Sequence, residues 1–422
     1  MPRLPYLVIG GIGVLVLIIV LAVFGVGRKP PRQAPAELTF WGMEDEEGTW
    51  QRVISAFREQ YPHISITYYR INEATYEDVL FNRLAAGTGP DIFELKNSWI
   101  VKHRNKIAPL PQQALGFTVR NLSSAFVDGV ADELVSPTGG IIGLPLFLDT
   151  LALFYNKDIF NAAGIATPPK TWEETVTLSQ QLTKTTQGRE IIKSGIALGS
   201  SKNIEHAFEI VSALMFQYGA PVAGYREKGV SLDGAEEALS FYTSFADQTS
   251  ERFSWTPRLK NSLDAFAEGT TAMMIGNSQD IRRLRAKNAH LRFGIVSFPQ
   301  RHGVATPVTY GTHFFPVVSR QSQNQLAAWQ FILFTGAQEG AAVYLEHTER
   351  PPAERNLVAA GAPRPELEVF WRQSLVAKSW AVPDEVTTLR LFQETIDAVV
   401  NRTENVGTAV GKLRSRLNVL FP

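Results

Sequence analysis

The carboxylate of Asp149 is the first candidate for binding chemistry, because it interrupts the apolar stretch GGIIGLPLFLDTLALFYNKDIF at residues 139–160. Burying a carboxylate without hydrogen-bond partners costs free energy. A carboxylate can accept several hydrogen bonds from hydroxyl groups without a charged partner. We therefore interpret Asp149 as an acceptor for a bound molecule. The alternative is a structural aspartate that caps a turn or pairs with an arginine.

Further polar candidates lie where predicted strands end or predicted helices begin. The candidates are Glu44 and Asp45, Glu205 and His206, and Asn277 and Ser278. The first pair could instead be solvated in the first turn of a helix, where the helix dipole favours negative charge. The last pair could donate hydrogen bonds from a helix N-terminus, or Ser278 could simply cap that helix. Both interpretations stay open at this point.

Composition and motifs exclude several function classes. The 41 basic residues balance the 41 acidic ones, so there is no electrostatic signature of nucleic-acid binding. The chain has no cysteine, and its seven histidines are scattered. The motifs HExxH, GxxxxGK[ST] and GxSxG, which carry zinc, phosphate and nucleophile chemistry, do not occur. We therefore expect no catalytic residue, metal ion or cofactor.

Hydrophobic periodicity predicts strands that alternate with helices. Strands are predicted at residues 37–41, 64–71 and 91–95, with amphipathic helices between them. Such alternation favours parallel strands joined by right-handed crossovers. Ligands bind beyond the carboxyl ends of such strands, which here are residues 41–45 and 95–99. A buried strand at 271–275 likewise precedes the polar turn at Asn277.

An uncharged apolar segment covers the 20 residues 7–26. As a helix it would span roughly 30 Å, the thickness of the bilayer hydrocarbon. We therefore predict one N-terminal transmembrane helix that anchors the chain, followed by a linker at residues 28–36. A cleaved signal peptide, which usually has a shorter apolar core of about 7–15 residues, is the alternative.

Five stretches in a fixed order carry a family resemblance that covers residues 37–422. They are GTGPDIFEL (87–95), GIIGLPLFLDTLALFYNKDIF (140–160), AGIATPPKTWEETVTLSQQL (163–182), AFAEGTTAMMIGNS (265–278) and a helix–proline pattern at 327–352. The chain resembles the extracellular solute-binding proteins of ABC importers, in the sugar-binding branch that contains the maltose-binding protein. The resemblance implies an α/β fold of the periplasmic-binding-protein type, with two lobes, hinge crossovers and a ligand between the lobes.

The resemblance also implies lobe boundaries. The expected units are 1–36 as anchor and linker, 37–148 plus about 311–354 as lobe 1, and 149–310 plus about 355–422 as lobe 2. The positive-inside rule, applied to Arg28, Lys29 and Arg32, weakly favours a cytoplasmic globular part. The resemblance implies the opposite orientation, with an extracytoplasmic globular part on a single-pass membrane anchor, and we follow the resemblance.

Site residues follow from the resemblance position by position. The ligand-binding carboxylate after the hinge strand corresponds to Asp149, and the loop after the third strand includes Asn97 and Ser98. Gly311 and Thr312 lie where the chain is expected to recross the hinge. In the maltose-binding protein, the loop after the third strand carries an aromatic and an acidic residue, and the aligned positions here are Leu95 and Ser98. The loop after the strand at 271–275 carries an aromatic residue there and Gln279 here. The pocket is therefore expected to be less aromatic, or its ligand is not a maltodextrin.

Two tryptophans are candidates for stacking on a sugar. Trp41 ends the first predicted strand, where core packing is the alternative, and Trp380 lies in a predicted loop before Pro383. An exposed aromatic side chain in that loop could line the cleft.

The predicted function is the capture of a small solute, most simply a sugar or oligosaccharide, and its delivery to ABC transporter permease subunits. A membrane-anchored glycoside hydrolase is the alternative from another class, with Asp149 paired with Glu44, Asp45 or Glu205. A sensory ectodomain without a transporter is the third possibility. No interaction with nucleic acid is expected.

Overall fold

The computed structural model describes residues 34–220, 232–304 and 306–421. The predicted transmembrane segment at 7–26 lies outside these residues. Within them, no helix combines the length and the apolar composition needed to cross a bilayer.

The described residues form strands and helices in the following order along the chain. The strands are β1 (Ala36–Gly42), β2 (Ile64–Arg70), β3 (Ile92–Lys96), β4 (Asp149–Thr150), β5 (Ala152–Asn156), β6 (Lys184–Thr185), β7 (Ile191–Ile196), β8 (Thr271–Gly276), β9 (Phe293–Ser297), β10 (Thr309–Thr312), β11 (Phe314–Val318) and β12 (Ala377–Lys378). The helices are α1 (Glu47–Gln60), α2 (Glu73–Ala85), α3 (Ile100–His103), α4 (Gln112–Leu115), α5 (Val119–Ala125), α6 (Asp128–Glu133), α7 (Lys157–Ala162), α8 (Trp172–Leu182), α9 (Ala207–Gln217), α10 (Ala235–Thr243), α11 (Ser262–Ala267), α12 (Ser278–Lys287), α13 (Gln325–Gly336), α14 (Gln338–Thr348), α15 (Arg355–Ala360), α16 (Glu368–Gln373), α17 (Glu385–Val400) and α18 (Val406–Leu420). Short 3₁₀ helices cover Asn97–Trp99, Arg104–Lys106, Pro365–Leu367 and Ser374–Val376.

The first sheet has four strands in the order β11–β3–β1–β2. Strand β1 pairs in parallel with both β2 and β3, whereas β11 runs antiparallel to β3. Helix α1 packs beside this sheet because Trp50, Val53, Ile54 and Phe57 recur on one face and are buried. The predicted parallel strands are confirmed, and their carboxyl ends meet at one edge of the sheet.

The second sheet has five strands in the order β6–β7–β8–β5–β9. Strand β5 lies between β8 and β9 and runs antiparallel to both. Helix α8 begins with a capping box, in which the Thr171 hydroxyl accepts a hydrogen bond from the Glu174 amide and the Glu174 side chain accepts one from the Thr171 amide. Strand β8 ends at Gly276, and α12 begins two residues later at Ser278. The end of β8 and the start of α12 therefore lie at the same edge of this sheet.

Three short strands, β12–β10–β4, form a small sheet between the two larger ones. Strand β10 pairs antiparallel with β4, so that Gly311 lies opposite Thr150 and Thr312 opposite Asp149. Residues 141–148, just before β4, form isolated bridges at Ile141 and Phe147. We call β4, β10 and β12 the hinge sheet.

Buried apolar side chains form two separate clusters. The first core draws on residues 36–148 and 315–358, with Ala377. The second core draws on residues 151–298, Tyr310 and residues 367–417. The chain passes between them at the hinge sheet, so residues on β4 and β10 lie where the two cores meet.

Candidate functional site

A cavity with a volume of about 940 Å³ lies at the junction of the two cores. Its lining comes from both cores and from the hinge sheet. The lining residues are Met43, Glu44, Arg70, Ile71, Asn72, Glu73, Ala74, Lys96, Phe147, Asp149, His206, Glu209, Asn277, Gln279, Arg282, Arg283, Thr312, Phe314 and Arg350. This volume is in the range of small-molecule sites, but polar and charged side chains predominate.

Asp149 is buried at the start of β4 and accepts three hydrogen bonds from the protein. Its Oδ1 accepts hydrogen bonds from the Thr150 amide at 2.9 Å and the Ser278 amide at 3.0 Å, and its Oδ2 accepts from the Ser278 hydroxyl at 2.8 Å. Burial raises the pKa of Asp149, although the bonds from Ser278 act in the opposite direction. Asp149 therefore ties the hinge sheet to the start of α12, while part of it lines the cavity.

The wall from the first core is built around Arg350. Its guanidinium lies 2.8 Å from Glu44 and 3.3 Å from Asp45, and it stacks 4.1 Å from the ring centroid of Phe147. Asp45 also accepts a hydrogen bond from the Tyr344 hydroxyl at 2.7 Å. Asp45 is buried and does not line the cavity, so the structure favours an internal role for it. Glu44 does line the cavity.

Glu94 holds the loop that carries Glu44. Its Oε2 accepts hydrogen bonds from the Met43 amide at 2.9 Å and the Glu44 amide at 3.2 Å. Burial, followed by the negative charges of Asp45 and Glu44, raises the pKa of Glu94 to about 8. The loop after β1 is thus fixed by a carboxyl group on β3, a contact between strands that a single sequence segment does not show.

The wall from the second core contains an ionic network around Asp280. Asp280 lies 3.0 Å from His206 and 2.7 Å from Arg283, and Arg283 also pairs with Glu205 at 3.0 Å. Burial opposes protonation of His206, but the charge and hydrogen bond of Asp280, together with the charges of Glu209 and Glu205, outweigh it and raise the pKa of His206 to about 9. His206 lines the cavity as a cation, whereas Glu205 lies behind it.

Helix α12 begins at the cavity with a reciprocal cap. The Asn277 side chain accepts from the Gln279 amide at 3.0 Å, and Asp280 accepts from the Asn277 amide at 3.0 Å. The cap is therefore Asn277 and not Ser278, whose hydroxyl is committed to Asp149. Asn277 and Gln279 line the cavity, and Ser278 does not.

The loop after β3 connects the two cores instead of lining the cavity. Lys96, the Ser98 hydroxyl and the Trp99 indole all donate to Glu385 of α17, at 2.5, 2.9 and 2.6 Å. Asn97 is buried and donates to Ser379 at 3.0 Å. Asn97 and Ser98, predicted as ligand contacts, are thus used for contacts within the protein, and Lys96 reaches the cavity in their place.

The remaining predicted residues fall in different places. Thr312 lines the cavity, but Gly311 is packed so closely that an added Cβ would lie 2.8 Å from the Leu148 side chain. Trp41 is half-buried and lines a neighbouring cavity of about 350 Å³. The two cavities share Ile71 in their walls.

Trp380 corrects the expectation of an exposed aromatic loop. Its side chain is 1% exposed and packs in the second core against Phe208 and Phe392, with ring centroids 5.7 and 6.0 Å away. Its indole donates to the Ser212 hydroxyl at 3.2 Å. The loop preceding Pro383 is apolar enough to fold inward, and Trp380 is therefore not available in the cleft.

The sequence matches a known protein family over most of its length. The family described as bacterial extracellular solute-binding protein matches residues 42–342. The chain belongs to this family. The resemblance inferred from the five sequence stretches is confirmed.

Relatives of this solute-binding protein include proteins of known name. A Brucella abortus protein named as a binding protein is 26% identical over 294 residues, covering 68% of this chain and 67% of its own. The sn-glycerol-3-phosphate-binding periplasmic protein UgpB of Shigella flexneri is 25% identical over 350 residues, which cover 77% of this chain and 76% of UgpB.

Solved structures share the fold at lower identity. The cyclic α-maltosyl-1,6-maltose binding protein of Arthrobacter globiformis has a TM-score of 0.77 at 16% identity, covering 92% of this chain and 99% of its own. A solute-binding protein of Thermotoga lettingae bound to α-D-tagatose has a TM-score of 0.68 at 21% identity, and the match covers 91% of this chain and 99% of that protein. The two-lobed fold is thus confirmed.

The cationic lining of this solute-binding protein was missed by sequence reasoning. Arg70 ends β2, Arg282 lies on α12, and Arg350 follows α14. Arg70 lies at a strand's carboxyl end, which is a signal that could have been used. Arg350 has no such signal, because its place depends on the packing of α14 against α1 and α13.

Replacing Asp149 by alanine is expected to reduce the free energy of unfolding by about 1.5–3 kcal/mol, because buried donors on Ser278 and Thr150 lose their charged acceptor. Urea denaturation measures this change. The matched control is Asp158→Ala, whose exposed pair with Arg292 at 3.2 Å should contribute below about 1 kcal/mol. Unchanged stability together with lost ligand binding would instead assign Asp149 to the ligand alone.

Proposed function

We propose that this protein is an extracytoplasmic substrate-binding protein that captures a carbohydrate-class solute and delivers it to the permease of an ABC transporter. The observation that most supports this proposal is the cavity of about 940 Å³, which is lined by residues of both cores and of the hinge sheet. A ligand there contacts both cores at once, and such contacts favour domain closure. Closure is the change of shape that a permease can recognise.

The lobes in this proposal are 37–148 with about 311–354, and 149–310 with about 355–422. The two separate hydrophobic cores support this division. Within the lining, we assign hydroxyl recognition to Glu44, Asp149, Asn277 and Thr312, which combine acceptors and donors at the cavity wall. The sugar-binding and polyol-phosphate-binding names of its relatives and structural neighbours support a polyhydroxylated solute.

A binding role is favoured over hydrolysis by how the carboxylates are used. Glu44 is paired with Arg350, Asp45 with Arg350 and Tyr344, and Glu205 with Arg283. General acid catalysis needs a carboxyl group that can deliver its proton to the substrate. Groups held in these ion pairs serve binding and architecture instead.

We also propose that residues 7–26 tether the protein in the cell membrane with its globular part outside the cytoplasm. Membership of an extracellular family supports this placement. Digestion of the globular part by protease added to intact cells tests it, and complete protection would place the globular part inside.

The function is tested by binding and turnover on the same full-length protein, purified in detergent. We expect at least one mono- or oligosaccharide, or a derivative of one, to raise the melting temperature, because a ligand that binds only the folded state stabilises it by mass action. Chromatography of the same mixtures should show the ligand unchanged. Product formation in proportion to protein would support the hydrolase, and no shift with any polyol would overturn the proposal.

A further inference from the structure

The cavity wall carries an excess of cationic groups. Five lining side chains have a permanent positive charge, and His206 adds a sixth cation through its pair with Asp280. The acidic side chains in the same wall are Glu44, Glu73, Asp149 and Glu209. The whole chain is balanced at 41 basic and 41 acidic residues, so this excess is a local property of the cavity.

Most of these cations have a carboxylate partner. Arg350 pairs with Glu44 and Asp45, Lys96 with Glu385, Arg283 with Asp280 and Glu205, and Arg70 with Glu46. The Arg70–Glu46 pair is exposed on both sides, with side-chain exposures of 43% and 77%. An exposed pair of this kind is weak, so Arg70 can exchange its partner for a bound anion at little cost.

Arg282 is the exception in this wall. Its Nη2 donates to the neutral Gln279 Oε1 at 3.2 Å, and across residues 34–220, 232–304 and 306–421 no carboxylate lies within ion-pair distance of it. Burial raises the pKa of Asp45, and Arg282 is among the cations that act against this rise. Since Asp45 belongs to the first core, Arg282 faces that core across the cavity.

The aromatic lining offers little surface for a neutral sugar. The two large aromatic side chains that line the cavity are Phe147 and Phe314, and neither tryptophan nor tyrosine is among its described lining residues. The ring of Phe147 is covered by Arg350 at 4.1 Å, and Lys96 lies 5.9 Å from the ring centroid of Phe314. Recognition in this cavity therefore depends on charge and hydrogen bonding more than on stacking.

We propose that the solute is a sugar or polyol that carries a phosphate monoester, with the phosphate held by Arg282 from the second core and Arg70 from the first. A phosphate group carries a charge of about −1.5 to −2 at neutral pH and has three strong acceptor oxygens, so it can bind guanidinium groups from both cores together. The hydroxyl groups are left to Glu44, Asp149, Asn277 and Thr312. This inference rests on the proposed function and specifies its substrate class.

The test compares matched ligands by isothermal titration calorimetry with the full-length protein. Glucose 6-phosphate and glycerol 3-phosphate are set against glucose, glycerol and maltose, with glucuronate as the carboxylate analogue and inorganic phosphate as the bare anion. We expect at least one phosphate ester to bind at least about tenfold more tightly than its neutral parent, through the charge-assisted contacts. Arg282→Ala should weaken that ester by about ten- to a hundredfold.

Arg285→Ala is the matched control, because Arg285 lies on the same helix but outside the cavity wall, paired with Glu366 at 2.6 Å. It should leave ester binding unchanged, and Arg282→Lys should restore part of the affinity. Melting temperatures of the variants verify folding.

The remaining outcomes separate the two proposals. Neutral sugars that bind as tightly as their esters, ester binding that Arg282→Ala leaves intact, or glucuronate binding without ester binding would overturn the phosphate inference and leave the proposed function standing. Inorganic phosphate that binds as tightly as every ester would reveal an adventitious ion only, and this also overturns the inference. Binding of none of these compounds would overturn the inference and count against the proposed function as well.

Discussion

Arg350→Ala is expected to lower the free energy of unfolding by about 3–5 kcal/mol, which is the range for removing one member of a buried ion pair. The Arg350 side chain is 4% exposed and lies within ion-pair distance of both Glu44 and Asp45. Its loss leaves Glu44 and Asp45, whose charges act on Glu94, without their ion-pair partner. It also removes the guanidinium that packs on Phe147.

Equilibrium denaturation in urea measures this effect, and Arg355→Ala serves as the control. Arg355 follows Arg350 closely in sequence but makes an exposed pair with Asp128, whose side chain is 82% exposed. Such a pair contributes about 0–1 kcal/mol. Equal stability losses for the two variants would show that the buried cluster around Arg350 is not held by its charge.

Stability is expected to decrease as the pH rises from about 6.5 to about 9, because His206 binds its proton more tightly in the folded state. The folded pKa of about 9 exceeds the ordinary value of 6.5. The stabilisation is therefore fully present below pH 6.5 and is lost as the pH passes through about 9. A shift of this size corresponds to roughly 3–4 kcal/mol.

The charges facing His206 are Asp280, Glu209 and Glu205, with Arg283 bound to the same Asp280. Glu94 acts in an overlapping range, since its raised pKa of about 8 removes stability as the pH rises from 4.5 towards 8. Urea denaturation across pH 6–10 should give a shallower slope for His206→Gln than for the wild type. Glu94→Gln should flatten the lower part of the range, and an unchanged profile for His206→Gln would refute the assignment.

Local patterns in the sequence were sufficient for much of the fold. The periodicity of Trp50, Val53, Ile54 and Phe57 predicted α1, and all four side chains are buried on one face. Alternation of strands and helices predicted the parallel pairing of β1 with β2 and β3, which the register confirms. These features follow from which residues repeat on one face of an element, and a short window of sequence contains that information.

The candidate site was only partly predictable. Strand ends and helix starts brought Glu44, Asp149, His206, Asn277 and Thr312 to the cavity wall, as the rule for strand carboxyl ends suggests. The inward packing of Trp380 could not be seen, because it depends on Phe208 and Phe392 from other helices. Whether an aromatic residue in a loop is exposed is decided by its neighbours in space.

The sequence by itself determined the family, the order of the elements and the strand ends at which binding groups collect. Only the tertiary structure decided which charges are neutralised and which remain available. Arg350 and Asp45 are far apart in the chain but form a buried pair, whereas Arg282, next to Arg283 on α12, has no carboxylate partner among the described residues. Electrostatic interactions depend on distances and burial between residues remote in sequence, and folding alone sets those distances.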